Sequence, residues 1–180
     1  MAMTSEPTRL FEGRRVWQVT TPAFNAAIRL IADAERAHGP DLVVGIRRGG
    51  APPATALASA LGVRCAFVSA RHNADDRIGL PATGRVGVET GDLGRAARRV
   101  LLVDDICGSG ATLRAVRAAL ARTLPGLESV RAAALCRNLG AGADLDVWIW
   151  DVADWTVFPW EARPARPVES LPLPSGVRRP

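Results

Sequence analysis

Val100-Leu-Leu-Val-Asp-Asp-Ile-Cys-Gly-Ser-Gly-Ala-Thr-Leu113 is the stretch on which the reading of the fold turns. Four consecutive aliphatic residues, Val100 to Val103, suit a strand buried on both faces, as in a parallel sheet covered by helices. The run ends in paired acids, Asp104 and Asp105, followed by a small-residue loop that opens an amphipathic helix predicted from about Ala111 to Thr123. Gly108, Ser109, Gly110, Ala111 and Thr112 leave backbone N–H groups unobstructed at that helix N-terminus, which suits a phosphate monoester, and the Ser109 and Thr112 hydroxyls add two hydrogen bonds. Carboxylates are not phosphate ligands, so Asp104 and Asp105 suit vicinal hydroxyls or a hydrated Mg²⁺ instead. Acids beside a phosphate cradle describe a sugar 5-phosphate. The bland alternative for the same residues is a solvated Asp-Asp turn before a glycine N-cap.

Upstream the same order recurs: the apolar run Leu42 to Ile46, the tight loop Arg47-Arg48-Gly49-Gly50, and an alanine-rich helix from Pro52 to Leu61. Arg47 and Arg48 supply two cations, and Gly49 and Gly50 permit close backbone approach or positive φ at the carboxyl end of a strand. Neither loop follows G-x-x-x-x-G-K-[ST] or G-x-G-x-x-G, which weakens the nucleoside triphosphatase and dinucleotide readings. Thr20-Thr21-Pro22 predicts a helix start, with Phe24, Ala27, Ile28 and Ile31 at helical spacing as far as His38-Gly39-Pro40. Cys65 to Val68, Val130 to Leu135 and Val147 to Trp150 read as further strands, with a hairpin around Arg85 to Glu89. Strands alternating with helices predict an α/β fold of three layers, a mostly parallel sheet flanked by helices. A single domain over residues 9–162 is expected, with irregular tails at 1–8 and in the proline-rich 163–180.

A chain of 180 residues, 48% hydrophobic and 23% charged, has the composition of an ordinary folded domain. No apolar run approaches the roughly 20 residues of a membrane span, and the first twenty residues lack a signal-peptide core, so the expected address is the cytoplasm, with no membrane partner. The net charge of +5 rests on 23 basic side chains, all arginine. Without a basic run or a basic helix with interleaved aromatics, nucleic acid is not the expected partner. Cys65, Cys107 and Cys136 lie far apart and form no C-x-x-C pair, which argues against a disulfide framework or a zinc site.

Together the two loops resemble those of the type I phosphoribosyltransferases, which use 5-phosphoribosyl-1-pyrophosphate (PRPP). Val100 to Leu113 looks like that family's PRPP motif, with Ser109 in a threonine position, and Ile46 to Gly50 looks like its pyrophosphate loop. The resemblance implies that Asp104 and Asp105 hold the ribose hydroxyls, that Gly108 to Thr112 hold the 5-phosphate, and that Arg47 to Gly50 receive pyrophosphate. It further implies Mg²⁺ at Asp105, directly or through water, with Asp104, Asp105 and Arg48 as the catalytic residues. About Ser69 to Asp92 would be the loop that closes over the reactants, and a small base-binding hood would come from the terminal segments. A homo-oligomer, dimer or tetramer, is the family-level expectation.

Asp154-Trp155-Thr156-Val157-Phe158-Pro159-Trp160-Glu161 is similar to the W-x-x-x-P-W-[DE] segment of bacterial xanthine-guanine and hypoxanthine phosphoribosyltransferases. By that match Trp155 stacks on a purine and the backbone of Thr156 and Val157 reads its edge, while Trp148 and Trp160 pack structurally. Two departures bear on the base. Gly108 stands where 6-oxopurine enzymes usually carry an aspartate for N7, and Arg137 stands where they present a lysine to the exocyclic oxygen. The implied substrates are PRPP and a purine or purine-like base. A modified or deazapurine acceptor, a non-catalytic PRPP-binding regulator and a sugar-phosphate binding or phosphotransfer domain are the rival readings.

Overall fold

The computed structural model describes residues 9–71, 86–94, 96–142 and 144–180. Strand β1 (Val16–Gln18) leads into helix α1 (Thr21–Arg36), which starts where the sequence predicts: Thr20 is extended, its hydroxyl oxygen accepts from the Ala23 N–H at 3.3 Å, and Pro22 sits in the first turn. Then follow β2 (Leu42–Arg47), α2 (Ala51–Leu61), β3 (Arg64–Arg71), β4 (Gly87–Glu89), β5 (Arg99–Cys107) and α3 (Ala111–Thr123). The chain continues through β6 (Ser129–Asn138), β7 (Val147–Val152), β8 (Trp155–Val157) and β9 (Glu169–Ser170).

Six strands form the main sheet in the order β4-β3-β2-β5-β6-β7, parallel except for β4, which runs antiparallel to β3. Alternation along β5 builds the three layers. Leu101 and Val103 pack into the cluster that holds Ile28 and Ile31 of α1 and Leu57 of α2, whereas Val100 and Leu102 join Leu113, Val116 and Leu120 of α3. Each of these leucines is shut off from solvent, and truncating one to alanine in such a core costs about 2–5 kcal/mol. Layer contact is also polar. Glu35 of α1, 1% exposed, accepts from Arg131 Nε at 2.7 Å and Nη2 at 2.9 Å, so helix and sheet share a paired buried charge.

The β2–β3 side grows one way and β5–β6–β7 the other, so the strand order reverses between β2 and β5. In open parallel sheets ligands bind in the crevice beyond the carboxyl ends of the two strands at such a reversal. A second sheet, β8-β1-β9, is parallel throughout and brings both ends of the chain together.

That sheet corrects the expectation of an irregular tail from 163 to 180. Glu169–Ser170 pairs with β1, the Leu171 N–H donates to the Gln18 carbonyl at 2.9 Å, and Trp150 Nε1 donates to the Pro172 carbonyl at 3.1 Å. Further on, Trp148 and Arg178 exchange backbone bonds of 3.1 and 2.7 Å. Prolines cannot donate to a ladder, which is why the segment reads as irregular, but the residues between them pair with open edges at β1 and β7. The folded unit therefore runs past residue 162. Of the closing loop expected at 69–92, β3 contributes Ser69–Arg71 and β4 lies antiparallel beside it; residues 72–85 lie outside the described residues. No helix among the described residues is long and apolar enough to cross a membrane.

Candidate active site

Both loops singled out in the sequence emerge at the reversal, one after β2 and one after β5. Arg47-Arg48-Gly49-Gly50 makes a tight turn, with the Gly50 N–H donating to the Ile46 carbonyl at 2.9 Å and the Ala51 N–H to the Arg48 carbonyl at 3.2 Å. The Arg47–Arg48 peptide is cis. Both arginines are exposed, and the Arg47 guanidinium lies 5.1 Å from the Phe67 ring centroid.

The glycines explain why the loops meet. A Cβ on Gly49 would overlap the Asp105 carboxylate, and one on Gly50 would stand 2.6 Å from the Val103 carbonyl oxygen and 3.0 Å from the Asp104 Cα. No side chain fits at either position without displacing the acids or their backbone. Arg47 to Gly50 and Asp104–Asp105 thus form one continuous floor.

Asp104 and Asp105 are half-buried at the end of β5. Asp104 Oδ1 accepts from the Asp105 N–H at 3.0 Å, and Asp105 Oδ1 from the Ile106 N–H at 2.7 Å. Desolvation raises both carboxyl pKa values, Asp104 more strongly, and the Asp105 charge pushes Asp104 further up. For Asp105 a smaller contribution in the same direction comes from Glu161, so the segment after β8 brings a third acid toward the pair. Glu161 is also tied locally, its Oε2 accepting from the Phe158 N–H at 2.9 Å.

Gly108 to Thr112 turn from β5 into α3. Gly110 is the N-cap residue, with φ of +86°, and no side chain caps the helix there. A Cβ at Gly110 would also overlap the Asp144 carboxylate, which is ion-paired with Arg114. The Ser109 hydroxyl oxygen accepts a long 3.4 Å bond from the Ala111 N–H. With glycine at its N-cap and small residues around it, the N-terminus of this 13-residue helix turns N–H groups and a positive dipole end toward an anion. Sequence reasoning missed Asp144 and Arg114, which brace this loop through space.

Trp155 begins β8 and is 52% exposed, whereas Thr156 and Val157 are buried. The Val157 carbonyl accepts from the Val19 N–H at 2.9 Å, so its main chain faces the α1 side of the hood; alternation turns the Thr156 main chain toward the unpaired edge of β8. Trp148 is buried, and Trp160 stacks on Phe158 at 5.1 Å and meets Phe24 edge-on at 5.6 Å.

Arg137 is tied to β7. Its Nε donates to Asp151 Oδ1 at 2.8 Å and its guanidinium lies 4.0 Å from the Trp148 ring centroid, while Asp151 also takes the Trp148 Nε1 at 3.0 Å and Arg178 Nη1 at 2.9 Å. The neighbouring Asn138, 1% exposed, clasps the chain at Leu10 through two hydrogen bonds, a role that nothing in the sequence pattern signals.

Three free cysteines occur, and burial raises all three thiols, Cys107 to about 12. Among the described residues no group of three or more His, Cys, Asp and Glu side chains is placed to hold a metal ion alone.

With this geometry in hand, residues 18–166 match the family described as phosphoribosyl transferase domain. The chain belongs to that family. It is a PRPP-dependent pentosyltransferase with the type I phosphoribosyltransferase fold. Its structure is similar to a purine phosphoribosyltransferase from Pyrococcus horikoshii, with a TM-score of 0.70, 24% identity, and coverage of 86% of this chain and 99% of that one. It is similar also to the xanthine-guanine-hypoxanthine phosphoribosyltransferase of Helicobacter pylori, with a TM-score of 0.68, 22% identity, and coverage of 82% and 94%. A hypothetical protein from Neisseria gonorrhoeae with bound ppGpp matches at a TM-score of 0.64 and 22% identity, over 82% and 90% of the two chains.

Proposed function

We propose that this phosphoribosyltransferase moves the 5-phosphoribosyl group of PRPP to a ring nitrogen of a purine or purine-like base, releasing pyrophosphate. The observation that carries the reading is the floor in which Gly49 and Gly50 press the Arg47–Arg48 turn against Asp104 and Asp105 at the strand-order reversal. In that arrangement the glycine-led start of α3, with Ser109 and Thr112, holds the 5-phosphate. Asp104 and Asp105 accept from the ribose hydroxyls, and Arg47 and Arg48 take the pyrophosphate. The purine acceptor is supported by the exposed Trp155 on the hood and by the purine enzymes among the similar folds.

A Mg²⁺ ion fits this chemistry. Its preferred donors are oxygens, it keeps several waters, and it is commonly bound by one or two carboxylates together with substrate phosphates. Asp105, directly or through water, with Asp104 beside it, would hold such an ion, which would supply charge neutralisation for the pyrophosphate. A cation at the pair also offsets the repulsion and desolvation that raise both carboxyl pKa values.

Displacement at C1 develops oxocarbenium-like charge on the ribose while negative charge gathers on pyrophosphate. Arg48 and Arg47 meet that negative charge, the acids orient the ring through its hydroxyls, and the attacking nitrogen comes from the opposite face. Positioning and fixed charge carry such a reaction, and one lost stabiliser costs about 2.7–4 kcal/mol.

A modified acceptor is favoured by two observations. Gly108 offers no side chain to N7, and Arg137 is engaged by Asp151 and Trp148 rather than open to an exocyclic oxygen. The test is mass detection of nucleotide after incubating the protein with PRPP, Mg²⁺ and hypoxanthine, guanine, xanthine, adenine or 7-deazapurines. A 6-oxopurine monophosphate would establish salvage, and product from an unusual base alone would establish the modified acceptor. PRPP binding without any product would replace both with a regulator.

A further inference from the structure

A cavity of about 740 Å³ opens on the hood, and two exposed rings line it: Trp155 and Phe11, which is 61% exposed. Val16, Pro164 and Pro167 add apolar wall. The volume falls in the range usual for small-molecule sites. Phe11 precedes residue 18, where the family match begins, so one wall comes from a segment outside the matched region.

That segment is fastened at successive points. The Leu10 N–H donates to Asn138 Oδ1 at 2.7 Å, and the Leu10 carbonyl accepts from Asn138 Nδ2 at 2.8 Å. Next, the Glu12 N–H donates to the Ala153 carbonyl at 2.8 Å and the Arg14 N–H to Asp154 Oδ1 at 3.1 Å. These anchors lie at the end of β6 and just before β8, the two places that frame Trp155 and the site. At its other end the segment reaches the phosphate loop, since a Cβ added at Gly108 would lie 3.7 Å from Arg9 Cδ. Residues 9–15 therefore run from the PRPP floor to the hood.

We infer that residues 9–15 are the second wall of the acceptor pocket and that Phe11 is a binding residue, holding a flat heterocycle against Trp155. This rests on the reading of Trp155 as the base platform. An exposed phenyl ring whose backbone is fastened by hydrogen bonds on either side of it is pre-organised: little freedom is lost when a planar ring covers it. Stacking tolerates many ring substituents, because every heterocycle presents a π-face. A second stacking wall thus suits a site in which Gly108 offers no side chain to the base edge.

The experiment is isothermal titration calorimetry of the full chain with guanosine 5′-monophosphate and, separately, ribose 5-phosphate. Phe11 is exposed, so Phe11→Ala should fold, and a thermal melt checks it. The inference expects Phe11→Ala to weaken the nucleotide about tenfold, leave ribose 5-phosphate unchanged, and be rescued by Phe11→Trp. Unchanged nucleotide affinity in Phe11→Ala alongside a loss in Trp155→Ala would overturn the second wall and keep the platform. Equal weakening of both ligands would overturn the base contact in favour of a structural role for the segment. A wild type that binds the nucleotide no better than ribose 5-phosphate would remove the Trp155 reading itself.

Discussion

The floor at the β2–β5 reversal and the hood are built in opposite ways. Each loop of the floor is one contiguous stretch, Arg47 to Gly50 or Asp104 to Thr112, and the two interlock so closely, Gly49 against the Asp105 carboxylate and Gly50 against the backbone of Val103 and Asp104, that neither glycine has room for a methyl group. The hood is gathered from residues 16–18, 155–157 and 169–170, with a wall added by residues 9–15. One region meets at glycines that admit no added side chain, and the other is made of short strands and exposed rings. Chemistry common to every acceptor belongs in the first, and selection among acceptors can change in the second without disturbing it.

Asp104→Asn puts the largest strain on this division. A loss of roughly 10²–10³-fold in kcat/KM is expected for every base alike, measured by steady-state kinetics; a loss confined to one base would break the comparison. The same variant should melt higher at neutral pH, read by a thermal melt. With its folded pKa raised, Asp104 favours the folded state below the unfolded value of 3.8, and that contribution is lost as pH rises through the folded pKa. Above that range the fold bears the cost of the raised pKa, and asparagine, which does not titrate, is free of it. Gly49→Ala comes next, with about a 10²-fold loss from the displaced Asp105 carboxylate, read as a higher KM for PRPP.

pH acts in the same region. Binding hydroxyls or Mg²⁺ needs ionised acids, and both pKa values are raised, so KM for PRPP should climb as pH falls through them, with KM for the base following less. A profile in which the base responds first would reverse the assignment. Gly108→Asp sharpens the contrast from the other side. The nearest neighbour of an added Cβ, the Arg9 side chain, is 3.7 Å away, so a side chain can start there in ordinary van der Waals contact. Competition assays should show a shift of roughly tenfold or less toward 6-oxopurines, with KM for PRPP nearly constant.

The same division decides what could be read from the sequence. Val100 to Thr123 declares strand, acids, loop and helix because each follows its neighbour, and Thr20 with Pro22 announces α1 for the same reason. A three-residue β1 and a two-residue β9 carry no hydrophobic period, so only the implied hood hinted at them. Asp144 under Gly110 and Asn138 clasping Leu10 are pairings across distant parts of the chain, and Glu161 reaches Asp105 only through its charge. Arg137 shows the limit most plainly: its ion pair with Asp151, fourteen residues on, leaves no mark in the linear pattern. Proline-rich composition likewise hid a tail that pairs.

That tail has a consequence for solubility. Beyond β7 the main sheet ends, and an open β-edge is a template on which another chain can add a strand. The reciprocal Trp148–Arg178 bonds occupy donor and acceptor positions on that edge, and Arg178 places its charge across it toward Asp151. The last residues thus act as a built-in guard, keeping a hydrophobic strand that contains Trp148, Ile149 and Trp150 from seeding edge-to-edge association between copies.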